Sequence, residues 1–145
     1  MIPEFDESGN LPPGIHHATW TEIVTRYATS TRRRDLLDGL LDALRSLRTA
    51  GCAIAYLDGS FVTAEEHPRD FDACWASAGV DLDRLDAELL DFGHERSAQK
   101  ARYGGELFPA DWPAQADGTT FLDYFQRDRT KQPKGIVAID LGRLL

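Results

Sequence analysis

One leucine stripe constrains this chain more than any other feature. Leu36, Leu37, Leu40, Leu41, Leu44 and Leu47 recur at the spacing of a single helical face, which predicts a helix from about Thr31 to Ala50. Ser30 or Thr31 can cap its start, and Gly51 stands where a helix-terminating glycine belongs. The next residues, Cys52-Ala-Ile-Ala-Tyr-Leu57, form a short apolar run that reads as a strand and is broken by Gly59-Ser60. A helix with one apolar face must bury it on another element, and the strand that follows is the nearest candidate. The expectation is a helix layer packed on a sheet. Arg32, Arg33 and Arg34 fall in the first helical turn, where the helix dipole disfavours cations; they read as a solvated face, with an anion contact as the alternative.

The rest of the chain supplies further pieces of the same kind. Trp20, Ile23, Val24 and Tyr27 mark a short helix, and Arg69 to Trp75 alternates as a second strand. Residues 80–92 carry Leu82, Leu85, Leu89 and Leu90 at helical spacing, and Ser97 to Tyr103 reads as a short helix stopped by Gly104-Gly105. Glu106-Leu-Phe108 and Ile136 to Leu141 are strand candidates, and Thr119 can cap a helix bearing Phe121, Leu122 and Phe125. Residues 1–18 form a lead-in, with Pro3, Gly9, Pro12, Pro13 and Gly14 predicting irregular backbone laid over the surface. The fold class is α/β (α+β): a small mixed sheet flanked by helices, in one domain over residues 1–145.

Charge narrows the partners. Asp and Glu outnumber Lys and Arg by 24 to 16, a net charge of -8, which argues against general polyanion binding without excluding nucleic acid from a local basic groove. No apolar run reaches the ~18 residues of a membrane helix, and residues 1–10 are acidic where a secretion signal would be basic. Two cysteines, Cys52 and Cys74, make no disulfide framework, so a cytoplasmic protein with reduced thiols is expected. The four histidines lack zinc-ligand spacing, and no Gly-x-Ser-x-Gly elbow surrounds Ser60.

One constellation carries chemistry. A strand ends in Gly59-Ser60; after nine residues comes Asp70-Phe71-Asp72 on the next strand. Side chains alternate along a strand, so Asp70 and Asp72 share a face with Cα atoms about 6–7 Å apart at ~3.3 Å per residue. Two adjacent carboxylates repel without a counterion, and their oxygens suit Mg²⁺ or Mn²⁺ better than zinc. Glycine permits close backbone approach, and a helix starting at Ser60 would favour an anion. Glu106 is the first choice for a third carboxylate and Asp140 the second, since an acid within an apolar strand wants a partner or a metal. Arg127, Arg129, Lys131 and Lys134 form a basic run, read as a solvated loop with a substrate-phosphate contact as the alternative.

The Gly59-Ser60 turn followed by Asp70-Phe71-Asp72 resembles the signature of the nucleotidyltransferase superfamily, the polymerase-β-like fold. The residue ahead of the glycine is usually apolar in that superfamily, whereas here it is Asp58. Ile2-Pro-Glu-Phe-Asp6, Leu11-Pro-Pro-Gly-Ile-His16, Tyr56-Leu-Asp-Gly-Ser-Phe-Val-Thr63 and Gly105-Glu-Leu-Phe-Pro-Ala110 are similar to stretches of small, uncharacterised bacterial proteins placed within it. The resemblance implies an Mg²⁺-dependent enzyme that transfers NMP from an NTP to an unknown acceptor. Asp70, Asp72 and Glu106 would hold the metal, and Gly59 and Ser60 the nucleotide phosphates. The alternative it implies is a catalytically inactive binding module of the same fold, acting through a partner protein as in toxin–antitoxin pairs.

Overall fold

The structure is a computed structural model that describes residues 1–144. Five strands form one mixed sheet in the order β1-β5-β2-β3-β4: β1 (Gly14–Ala18), β2 (Ile54–Asp58), β3 (Phe71–Trp75), β4 (Gly105–Pro109) and β5 (Gly135–Asp140). β2 runs antiparallel to both β3 and β5, while β1 pairs parallel to β5 and β4 parallel to β3. The two strands expected on either side of Gly59-Ser60 are therefore neighbours.

Four helices accompany the sheet: α1 (Trp20–Tyr27), α2 (Thr31–Thr49), α3 (Gly93–Tyr103) and α4 (Phe121–Phe125). Thr19 begins α1 with a reciprocal capping box to Glu22, and the Ser30 hydroxyl caps α2 by accepting from the Arg33 amide. Leu36, Leu37, Leu40, Leu44 and Leu47 of α2 are buried against one face of the sheet. That face presents Ala55 and Leu57 of β2, Phe71, Ala73 and Trp75 of β3, Leu107 of β4, and Val137 and Ile139 of β5. The period of two along the strands meets the 3.6-residue period of α2, and one contiguous core results.

The opposite face carries the alternate residues. Cys74, Ile136 and Ala138 are buried there, and Phe108 stacks on Phe121 of α4 with ring centroids 4.2 Å apart and planes within 7°. Phe92 adds a second stack on Phe108, at 6.1 Å. The segment around α4 thus covers only part of this face, and the end of the sheet bearing Asp58, Asp72 and Glu106 stays beside a cleft.

Three expectations need correction. Residues 80–92 are not one helix but two short 3₁₀ turns, Leu82–Arg84 and Ala87–Leu90. Asp81 bonds the Asp83 amide through its own side chain, and such local bonds compete with continuous helix. The lead-in is irregular only through Pro13: Gly14–Ala18 is an edge strand, and Ile2 and Leu11 are buried in the core rather than laid on the surface. Finally, Arg33 is neither solvated nor an anion contact. It is buried and donates to the carbonyl oxygens of Phe61 (2.7 Å), Thr63 (3.2 Å) and Glu65 (2.5 Å). Arg32 reaches the carbonyls of Pro68 and Arg69. Together they clamp the connector between Gly59-Ser60 and Asp70. No helix among the described residues is long and apolar enough to cross a membrane.

Candidate functional site

The site forms where β2 and β3 end together. Asp58 closes β2 and pairs directly with Asp72 of β3. Asp72 in turn stands in register with Glu106 of β4, and register partners project to the same face. Asp70, two residues before Asp72, returns to that face by alternation. Four carboxyl groups from three neighbouring strands thus converge at one end of the sheet.

Gly59 makes this possible. Its φ is +74°, and a Cβ there would lie 3.0 Å from the Asp72 Cβ and overlap the Asp72 carboxylate. The glycine admits the Asp72 carboxylate against the backbone. Residues Gly59–Val62 form a single 3₁₀ turn of four residues, not a helix. The helix dipole expected at Ser60 is therefore missing. The turn instead closes on itself, with the Thr63 amide and hydroxyl both donating to the Ser60 carbonyl, at 3.1 and 2.6 Å.

Each carboxyl has a distinct environment. Asp58 is fully buried: its Oδ1 has no hydrogen-bond partner, and its Oδ2 lies 4.0 Å from the Cys74 thiol. Burial, then the neighbouring Asp72, pushes its pKa well above the carboxylate range, against the pull of Lys134. Asp72 is half-buried and is raised to about 7, first by burial and then by repulsion from Asp70 and Glu106, with Lys134 and Lys100 opposing. Asp70 is raised by burial and by Glu106. Among the described residues, neither Asp70 nor Asp72 makes an ion pair or a side-chain hydrogen bond. Lys100 and Arg96, one turn apart on α3, both bind Glu106, at 3.0 Å (Nζ–Oε1) and 3.3 Å (Nε–Oε2). The backbone that aims Arg96 is unusual: His94, Glu95 and Arg96 all have left-handed dihedrals, with φ of 49°, 56° and 60°.

Gly59, Ser60, Asp70 and Asp72 all line one cleft of about 1110 Å³. Glu106 stands beside Asp72 but is turned to its two cations. Among the described residues, no three His, Cys, Asp or Glu side chains form a metal-holding group. Asp70 and Asp72 fit a divalent cation in another respect: they are adjacent acids without partners, one of them largely withdrawn from water, and a cation offsets that repulsion. Asp140 does not belong to this site. It pairs with Ile54, at the other end of β2 from Asp58, and its exposed carboxylate accepts from the Gly142 amide at 2.9 Å. The strand leaves the apolar layer at Asp140, so no buried charge needed a partner.

Asp58 carries no signal of a site residue in the sequence, because only tertiary burial makes its acid significant. The basic run was legible, but its place was not: Arg127, Arg129, Lys131 and Lys134 line the same cleft as Asp70 and Asp72. Cys52 and Cys74 are free and buried; burial raises the Cys52 thiol to about 11, and burial with Asp58 raises Cys74 further, which disfavours the thiolate at both.

Fold and site together define an α+β protein with a mixed five-stranded sheet and a cleft at one sheet end lined by both acids and bases. The chain belongs to a family of unknown function, DUF6932, whose model matches residues 3–140. No curated protein and no solved structure matches it.

Proposed function

We propose that this protein is a divalent-cation-dependent nucleotidyltransferase that binds an NTP in the cleft and passes NMP to a hydroxyl acceptor: the acceptor oxygen bonds to the α-phosphorus, the bond from that phosphorus to the β-phosphate oxygen breaks, and pyrophosphate leaves. The observation that carries the reading is the pair of unpartnered carboxylates, Asp70 and Asp72, held beside Gly59-Ser60 in the cleft. A bound Mg²⁺ or Mn²⁺ would offset the phosphate charge and orient the reacting oxygens. Asp70 and Asp72 are the residues to hold it. The proton on Asp72 must leave first, so loading is favoured above pH 7. The exposed Ser60 hydroxyl offers a hydrogen bond to a phosphate oxygen. Arg32 and Arg33 position this machinery by clamping the 61–69 connector. The two buried free thiols support a reducing compartment, the cytoplasm.

A second reading has a specific observation in its favour. Glu106, the third carboxylate, is occupied by Arg96 and Lys100. A site limited to two acids suits a module that binds nucleotide without turnover and acts through a partner protein. Incubation with each α-³²P-labelled NTP and Mg²⁺, with and without cell extract, separates the two. Label transferred to an acceptor, and lost in Asp70→Asn/Asp72→Asn, supports the enzyme. Nucleotide binding without transfer under every condition supports the module, and absence of Mg²⁺-dependent nucleotide binding refutes both.

A further inference from the structure

The segment from Arg127 to Lys134 reads Arg-Asp-Arg-Thr-Lys-Gln-Pro-Lys, four cations and one acid in a chain of net charge -8. It is a preformed loop. An Arg127–Pro133 bridge closes it, the Asp128 amide donates to the Gln132 carbonyl at 2.8 Å, and the Lys134 amide donates to the Gln126 carbonyl at 2.9 Å. Its single acid is spent internally: Asp128 Oδ1 accepts from the Thr130 amide (2.8 Å), the Thr130 hydroxyl (2.7 Å) and the Gln132 amide (3.0 Å). Among the described residues, Arg127, Arg129, Lys131 and Lys134 form no ion pair. Lys131 is held at a φ of 65°, a conformation that a residue with a Cβ adopts only when its surroundings impose it.

All four cations line the same cleft as Asp70 and Asp72. The cleft is charge-divided rather than cationic: Glu65, Asp70, Asp72, Asp117 and Asp128 line it together with Arg69 and these four, and the bases are concentrated in the one loop, where a multivalent anion would find them. The Asp70 and Asp72 carboxylates in the same cleft add a second requirement: the anion must also bring or accept a cation. A polyphosphate meets both conditions, because its several charges match the cationic loop and its oxygens chelate a divalent ion. The Gly59–Val62 turn, one 3₁₀ turn long, cannot supply this charge by itself.

We propose that the Arg127–Lys134 loop binds the phosphate chain of a nucleoside triphosphate, which lies between this loop and the cation held by Asp70 and Asp72. The assignment rests on the nucleotide reading given above. It makes the phosphate chain, rather than the base, the main determinant of affinity.

The test uses the full-length chain and the double variant Arg129→Gln/Lys131→Asn, exposed positions at which Asn tolerates the left-handed backbone. Calorimetry with Mg²⁺ and each common NTP, with AMP, and with inorganic tripolyphosphate measures the phosphate dependence. Electron paramagnetic resonance with Mn²⁺ alone measures the cation site. The wild type should bind NTPs and tripolyphosphate at least about tenfold more tightly than AMP, given charge-assisted contacts. The loop variant should lose about tenfold or more for both polyphosphates, with Mn²⁺ binding unchanged. Undiminished polyphosphate binding by the variant overturns the proposal, as does AMP binding equal to that of ATP. A single-stranded RNA oligonucleotide that outcompetes tripolyphosphate also overturns it, in favour of a nucleic-acid surface. Tripolyphosphate titrated in EDTA isolates the loop: a loss there in the loop variant supports the assignment even where Asp70→Asn/Asp72→Asn leaves Mn²⁺ binding intact, a result that removes only the cation reading.

Discussion

Replacing Asp72 by Asn should stabilise the cation-free protein, and by an amount that grows with pH. In the unfolded chain an Asp carboxyl loses its proton near 3.8, whereas in the fold burial, Asp70 and Glu106 hold Asp72 protonated to about 7. Between those values the native state binds more protons than the unfolded state, so stability falls as pH rises. Each pH unit corresponds to about 1.4 kcal/mol, which makes about 4 kcal/mol over the whole window and about 3 kcal/mol between pH 5 and pH 8. Asn keeps the shape and removes the charge. Urea unfolding in EDTA at pH 5, 6, 7 and 8 should therefore show Asp72→Asn ahead of wild type by about 1.6 kcal/mol at pH 5 and about 4.4 kcal/mol at pH 8. The direction is the one expected where function, not stability, retains a residue. A wild-type/variant difference that stays constant across this range would refute the argument, because it would mean that Asp72 ionises as easily in the fold as in water. Saturating Mg²⁺ should reverse the ordering at pH 8 and have little effect at pH 5, since the cation needs the ionised form.

Other substitutions probe the frame around the site. Gly59→Ala combines a φ of +74° with overlap on the Asp72 carboxylate, and should lower stability by about 2–4 kcal/mol in urea titrations. Arg33→Met strands the carbonyls of Phe61, Thr63 and Glu65; a loss of about 3 kcal/mol is expected, with faster hydrogen exchange through residues 59–69. Asp140→Asn should change stability by less than about 1 kcal/mol and leave Mn²⁺ binding untouched, as befits an exposed carboxylate at the far end of β2. Glu106→Gln should relieve repulsion on Asp72 and lower its pKa, visible as a shift of its carboxyl titration by NMR toward lower pH.

Much of the architecture was legible in local pattern. The leucine stripe of α2, its Ser30 cap and the alternation of Phe71, Ala73 and Trp75 each follow from the period of one element, and that period is written in consecutive residues. The two strand patterns on either side of Gly59-Ser60 were legible as well, and their pairing in the sheet brings Gly59, Ser60, Asp70 and Asp72 to one cleft. What tertiary structure alone decided concerns charges and distant partners. Arg33 looks like surface in a helix first turn and becomes a buried clamp because a loop 28 residues away folds over it. Asp140 sits in an apolar run, yet the strand reaches solvent at that residue. Asp58 and Asp72 are ordinary acids in the chain; the fold raises Asp58 by desolvation and by Asp72, and raises Asp72 by desolvation, by Asp70 and by Glu106 from the neighbouring strand. The cations of 127–134 share a cleft with Asp70 and Asp72 because the chain that follows α4, whose Phe121 and Phe125 pack on Phe108, is brought beside that end of the sheet. Periodicity is a property of neighbours in sequence, whereas burial and Coulomb interactions depend on neighbours in space, and the latter determine what this site can bind.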